Sequence, residues 1–243
     1  MLTDPTTLYA LARQIYTKEN VDWLESTKTH IIISRDWVIN PERLEAVLSA
    51  SESQPVRFIP HRVGVGYEGG GYFFPIYDPS GGLPMAQLRW SKPSLHKSIK
   101  TSFIGNASEL EGPKWCGMSL SNVRQIIQQK ELLLVEGPFD RMACQIALDS
   151  NYPVLSPFGC HLTLHHIQDL EILGVNKVKI MFDDDNSGNA AYQTLKNQRL
   201  PFRISKLKSP AADPSDCLKD EKTFRTLTNL LRNECQLTER SQK

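Results

Sequence analysis

The sequence predicts an α/β chain: an open, mostly parallel sheet flanked by helices, preceded by a smaller α+β region that contains a β-hairpin. Three observations carry this. Apolar runs too short for helices recur in the second half, at Leu132-Leu133-Leu134-Val135, Lys177-Val178-Lys179-Ile180-Met181-Phe182 and Phe202-Arg203-Ile204-Ser205, and read as buried strands. Segments with helical spacing alternate with them, and strands separated by helices of that length pair in parallel. Upstream, Tyr72-Phe73-Phe74-Pro75-Ile76-Tyr77 and Met85-Ala86-Gln87-Leu88-Arg89-Trp90 flank Asp78-Pro79-Ser80-Gly81-Gly82, a strong turn signal between two strands.

Residues 1–54 read as helical. Asp4-Pro5 and Asn40-Pro41 each place a capping residue before a proline at a first helical position. Leu8, Leu11, Ala12 and Ile15 form one apolar face, and Leu44, Val47 and Leu48 another. Ile31-Ile32-Ile33 suits either a short strand or the end of a buried helix. The run 49–55 is a connector to a second region, 55–130. There Gly64-Val65-Gly66-Tyr67-Glu68-Gly69 matches the dinucleotide-binding pattern letter by letter. That pattern needs a helix after it, whereas a strand follows, so the glycines read as a turn.

The stretch 91–114 is rich in Ser, Lys and Gly. Lys92, Lys97, Lys100 and Lys114 are spaced along it, with Trp90, Phe103 and Trp115 between and around them. Cations interleaved with aromatics suit single-stranded nucleic acid, where backbone charge and base stacking both contribute; the same composition also suits a surface loop. A short helix over 121–129 closes the region. The third region, 131–220, alternates strand and helix. Helices are expected at 140–149, after a Thr163 cap, and at 188–197, with a short strand at Val154-Leu155-Ser156. The last region, 221–243, is an amphipathic helix carrying Phe224, Leu227, Leu230 and Leu231, and a polar tail.

Composition is that of a water-soluble globular chain: 243 residues, 40% hydrophobic and 23% charged. No apolar run approaches bilayer-spanning length, and no secretory leader is visible. A cytoplasmic location without a membrane partner is expected. The five cysteines contain no C-x-x-C pair, which argues against a disulfide framework or a zinc ribbon. Cys160-His161 with His165 and His166 reads as a loop entering a helix. The net charge of +1 is unevenly spread. From Arg89 to Lys130 seven Lys/Arg face two Glu, giving +5; from Glu131 to Asp220 nine Lys/Arg face twelve Asp/Glu, giving −3. A basic segment beside an acidic one fits a polyanion held next to a metal centre.

The acidic residues sit where chemistry is expected. Each of the three long apolar runs is followed by carboxylates: Glu136 and Asp140, then Asp183-Asp184-Asp185, then Asp213 and Asp216. In an open parallel sheet ligands bind at the carboxyl ends of the strands, and clustered carboxylates there suit hard cations such as magnesium. Asp183 and Asp185 can serve one cation while Asp184 points elsewhere. Asp213 and Asp216 complete that site or hold a second ion. Glu136 fits either a general acid or base or a further ligand. Asp140 fits either a helix cap or a metal contact.

The set Glu136-Gly137-x-x-Asp140, Asp183-x-Asp185 with Ser187-Gly188, and Asp213-Pro214-x-Asp216 closely resembles the Toprim domain of bacterial DnaG-type primases and phage primase–helicases. Val154-Leu155-Ser156-Pro157-Phe158-Gly159 sits where that family has a strand and a tight turn. The segment Ser34-Arg35-Asp36-Trp37-Val38-Ile39-Asn40-Pro41-Glu42 and the 72–78 hairpin arm resemble upstream parts of the primase core. The resemblance spans roughly residues 30–220. It implies metal-dependent synthesis of RNA primers on a single-stranded DNA template from nucleoside triphosphates, with Mg2+ or Mn2+. Glu136 becomes the catalytic glutamate, Asp140 a supporting carboxylate, and Asp183, Asp185 and Asp213 the metal ligands, with Asp216 beside them. Arg89 and Lys100 fall near the family's template- and triphosphate-binding residues. Asp216 lies three after Asp213, where many relatives place an acid two after. The family's zinc-binding and helicase-binding parts have no counterpart, so a replicative helicase or a separate zinc-binding initiation factor is the expected partner. The same carboxylates would serve a Toprim nuclease, and a non-catalytic replisome-binding module is the third reading.

Overall fold

In a computed structural model, residues 112–118, 122–149 and 151–235 are described in full, and residues 120–121 and five earlier strands by their backbone. The helices expected near 5–15 and 40–48, the glycine turn at 64–69, the 78–82 turn, and Lys92, Lys97 and Lys100 lie outside the described residues. The chain divides into two compact units, one spanning Thr17–Glu111 and the other built around Gly112–Lys243.

The first unit contains β1 (Ile31–Ile33), β2 (Val56–Pro60), β3 (Gly71–Tyr77), β4 (Met85–Trp90) and β5 (Thr101–Gly105), side by side in that order. The isoleucine run is therefore a strand, parallel to β2. β3 and β4 form the expected antiparallel hairpin, with Tyr72 opposite Arg89 and Ile76 opposite Met85. Two strands were not expected. β5 lies inside the basic stretch for which no strand was expected, and pairs antiparallel with β4. Its Thr-Ser-Phe-Ile-Gly sequence carries too short an alternation to stand out among serines and lysines. β2 is equally short and ends on a proline, which suits a strand terminus better than an interior.

The second unit opens with β6 (Trp115–Cys116) and α1 (Leu120–Gln129). There follow β7 (Glu131–Val135), α2 (Pro138–Ala147), β8 (Val154–Leu155), α3 (Leu164–Ile172), β9 (Lys177–Met181), α4 (Asn186–Asn197) and β10 (Arg203–Lys206). A 3-10 helix, Ser215–Lys219, precedes α5 (Glu221–Glu234). The four strands β10-β9-β7-β8 are all parallel.

Both faces of this sheet are covered. On β7, Leu133 and Val135 join a core with Met181 of β9, Ala143 and Ala147 of α2, and Phe224, Leu227 and Leu231 of α5. Leu132 and Leu134 point the other way and are equally buried. A strand buried on both faces reads as an unbroken apolar run, which is why β7 stands out in the sequence. β9 breaks that rule with Lys179, only 1% exposed. Its ammonium donates to Glu131 Oε2 at 2.6 Å and to the Tyr152 hydroxyl at 2.7 Å, so the buried charge is paired and hydrogen-bonded.

Candidate active site

The site is assembled where β7, β9 and β10 end. After Val135 the chain turns through Glu136-Gly137 into α2, with Pro138 at its first position. The Asp140 carboxylate reaches back so that its Oδ2 accepts the Gly137 N–H at 2.9 Å. A Cβ at position 137 would stand 2.8 Å from that oxygen, so the close approach calls for glycine. The backbone of Glu136 is fixed from the other side. Its carbonyl accepts from the Ser156 hydroxyl at 2.7 Å and from the Gly159 N–H at 2.9 Å. The turn after β8 is thereby fastened to Glu136, with Phe158 at a φ of 58°.

At the end of β9 the three adjacent aspartates have three separate environments. Asp183 Oδ1 is buried and has no hydrogen-bond partner. Asp184 is exposed; its backbone N–H donates to the Ala212 carbonyl at 3.0 Å and its carboxylate pairs with Lys208 at 2.8 Å. Asp185 caps α4, its Oδ1 accepting the Gly188 N–H at 2.7 Å. Glycine at 188 lets α4 begin directly against the strand end, since a Cβ there would lie 2.3 Å from the Asp183 carbonyl oxygen.

After β10, Asp213 closes its own turn. Its Oδ1 accepts the Ser215 hydroxyl at 2.8 Å and the Asp216 N–H at 2.6 Å. The Ser215 N–H meanwhile donates to Asp140 Oδ1 at 3.1 Å, linking this turn to the one after β7. Asp216 is taken up by Lys219 at 2.5 Å, along the 3-10 helix.

Electrostatics shows which carboxylates share a field. Burial, followed by the charges of Asp140, Glu136, Asp213 and Asp185, pushes the Asp183 carboxyl up to about 7. Burial and then Asp185 and Asp213 also raise Glu136, although the Asp183 backbone N–H and His161 work against the shift. Burial and then Asp213 push Asp140 to about 7. Glu136, Asp140, Asp183, Asp185 and Asp213 therefore act on one another, while Asp216 is paired with Lys219. Glu136 Oε2 is, like Asp183 Oδ1, buried and unpartnered. Mutual repulsion together with unmet acceptors is the condition a cation relieves. Among the described residues no three such side chains already converge into a cage. Magnesium needs none: it keeps several waters and takes one or two carboxylates plus substrate phosphates.

The remaining expected residues lie elsewhere. Arg89 is on β4, its backbone between Tyr72 and Thr101. Lys114 precedes β6, and its carbonyl is 3.1 Å from His166 Nε2. The Thr163 N–H donates to His166 Nδ1 at 3.1 Å, so the ring donates through Nε2 and is neutral, as its burial favours. His166 also meets the Trp115 ring edge to face, with centroids 4.6 Å apart. The Trp115 indole N–H donates to Asp169 at 2.9 Å. Sequence reasoning missed three parts of the site: the Ser156–Gly159 clamp on Glu136, the Lys208 partner of Asp184, and the influence of His161 on Glu136. The turn after the short strand at Val154 was the one available signal for the clamp.

Residues 133–218 match the family described as Toprim-like. A curated DNA primase of Chlamydia pneumoniae is 37% identical over 76 residues, 31% of this chain and 12% of that protein. The chain thus matches only a small part of that relative's length. The RNA polymerase domain of Mycobacterium tuberculosis DnaG, solved with double-stranded DNA, superposes with a TM-score of 0.58 at 18% identity, covering 92% of this chain and 77% of that one. The DnaG primase catalytic domain solved with single-stranded DNA gives a TM-score of 0.52 at 18% identity, covering 93% and 80%. The structural likeness is one of fold. Residues 133–218 are similar to Toprim-like domains, and the fold is similar to that of DnaG primase cores.

Proposed function

We propose that this chain is the catalytic core of a DNA primase, a nucleotidyltransferase that joins nucleoside triphosphates into short RNA primers on single-stranded DNA. One observation carries the reading. Glu136 and Asp183, from two adjacent parallel strands, keep buried and unpartnered carboxylate oxygens in one shared field with Asp185 and Asp213. Two solved proteins of this fold are held in complexes with DNA, which supports a DNA template as partner.

In this reading Asp183 and Asp185 would hold Mg2+ or Mn2+, with Asp213 and Asp216 as further ligands. Such an ion would neutralise charge on a triphosphate and act as a Lewis acid on the oxygens of the phosphate under attack. Glu136 follows a different strand from the triplet, and its carboxyl is raised by burial and then by Asp185. A carboxylate raised toward neutrality accepts a proton from an attacking hydroxyl more readily than an ordinary one, and Glu136 is assigned that task at the primer 3′ oxygen. The clamp on its carbonyl keeps the side chain aimed while the proton moves. Arg89, Lys92, Lys97, Lys100 and Lys114 are assigned to the template and the triphosphate. A replicative helicase or a zinc-binding initiation factor would choose the start site. Among the described residues no helix is long and apolar enough to cross a membrane, and a cytoplasmic site of action is proposed.

The deciding experiment is primer synthesis with labelled nucleoside triphosphates on varied single-stranded templates, with Mg2+ and with Mn2+. Labelled oligoribonucleotides support the reading. Metal-dependent degradation of nucleic acid without added triphosphates would instead assign the site to hydrolysis.

A further inference from the structure

We infer that Asp140 is a positioning residue, whose two carboxylate oxygens tie the Glu136 turn to the Asp213 turn and so fix the spacing of those two acids. Asp140 is 7% exposed, which keeps it from touching a substrate. Its Oδ2 accepts the N–H of Gly137, the residue after Glu136, at 2.9 Å. Its Oδ1 accepts the N–H of Ser215, 75 residues away, at 3.1 Å. Ser215 is itself bound into the Asp213 turn through its hydroxyl, 2.8 Å from Asp213 Oδ1.

Each turn has a second anchor, which makes the link rigid. The Glu136 carbonyl is held by Ser156 and Gly159, and the Asp213 carboxylate closes on Asp216. Asp140 is the side chain that joins these two fixed pieces. Hydrogen bonds from backbone N–H groups to a side-chain oxygen strengthen where water is excluded. The residue type follows from the partners. Both are donors, so the side chain needs two acceptor oxygens in a plane, and asparagine offers one acceptor and one further donor. A glutamate would add a methylene to a packed site.

The inference uses the proposed synthesis only for one of its three readouts. The others are Mn2+ binding followed by electron paramagnetic resonance and amide hydrogen exchange at Gly137 and Ser215, both on the full chain. In the wild type the two amides should exchange slowly, and an Asp140→Asn variant should speed at least one of them. The variant should bind Mn2+ about 10–100-fold more weakly, the usual consequence of losing a group that orients ligands. In synthesis kcat should fall while KM for the triphosphate stays close to the wild-type value. A role in stability alone would lower the melting temperature and leave Mn2+ affinity and kcat per folded molecule unchanged, which overturns the inference. Should the variant fail to fold, the wild-type amides decide: a Ser215 N–H that exchanges like an exposed one also overturns it. If the wild type makes no primers, the primase reading falls, while the binding and exchange readouts still judge the link.

Discussion

Lys208 Nζ lies 2.8 Å from Asp184 Oδ2, across the loop between β10 and the 3-10 helix. The contact takes the middle of three adjacent aspartates out of the shared field. Asp184 is held below the usual carboxylate range by its Lys208 hydrogen bond, whereas burial and neighbouring charges push Asp183 up to about 7. Three identical residues in a row thus divide into one carboxylate with an unmet acceptor, one surface ion-pair partner and one helix cap.

This division sets the first expectation. Asp183→Ala should abolish primer synthesis while the circular dichroism spectrum stays that of the wild type. Asp184→Ala removes an exposed pair, a kind of contact with little influence on stability, and should leave both synthesis and melting close to wild type. Equal loss of synthesis in both variants would mean that the triplet acts as one undivided charge patch.

Stability should depend on pH in a direction fixed by the same groups. Asp140 and Asp183 both have carboxyls raised to about 7, against about 4 in an unfolded chain. A group whose folded value is raised binds its proton more tightly when folded. Its stabilisation is complete below about pH 4 and is lost as pH climbs through about 7. Asp184 and Asp220, lowered by hydrogen bonds from Lys208 and Thr223, act in the opposite sense, in a window below about pH 4. Urea unfolding without metal should therefore give a higher midpoint at pH 5 than at pH 8. Added Mg2+ should recover part of the loss at pH 8, since it binds the folded, ionised site. Asp183→Asn should flatten the profile. A wild-type midpoint that rises from pH 5 to pH 8 would contradict this account.

The parts of this architecture that the sequence displayed are the parts set by neighbours along the chain. β7 is an apolar run because both of its faces are covered, and its carboxylates follow at once. Thr163 caps α3 because an oxygen three residues before an amide can reach it, and the structure has that bond to His166. The hidden parts are pairings between distant segments. Lys179 looks like the polar half of an alternating strand, and only the fold brings Glu131 and Tyr152 to it. Asp140 gives no sign that its second partner is Ser215. The Trp115, His166 and Asp169 cluster joins residues more than fifty positions apart, although Trp115 read as part of a nucleic-acid surface. β5 was obscured for a different reason, since a five-residue strand among lysines and serines has the composition of a loop.

Gly188 links helix packing to the site. Its N–H donates to Asp185 while its α-carbon faces the end of β9. In Gly188→Ala the new methyl would lie 2.3 Å from the Asp183 carbonyl oxygen and 3.2 Å from Phe182 Cβ. The obstacle is backbone, which cannot rotate aside as a long side chain does. The variant should lose about 1–3 kcal/mol in denaturant unfolding, the range for overpacking a close-packed interior. Because the relief must come from moving α4 or Asp183, Mn2+ affinity should fall as well. Full stability combined with full affinity would show that α4 starts farther from the strand than the structure has it.

The basic segment of the first unit is tested by salt. Lys92, Lys97 and Lys100 follow β4 in sequence, which ends at Trp90, and no acidic residue lies between Arg89 and Lys100. If these cations contact the template backbone, binding must release counterions, and its logarithm falls with the logarithm of salt by about 0.7 for each single-strand phosphate neutralised. Replacing all three lysines with glutamine should weaken binding of single-stranded oligonucleotides at low salt and make the slope shallower by about 2. Trp90 gives a second reading, because stacking on a base costs no counterion release. Trp90→Ala should lower affinity with the slope unchanged. Fluorescence anisotropy over a salt series separates the two effects. A triple variant with the wild-type slope would remove these lysines from the template path and leave Arg89 and Lys114 as the residues to test.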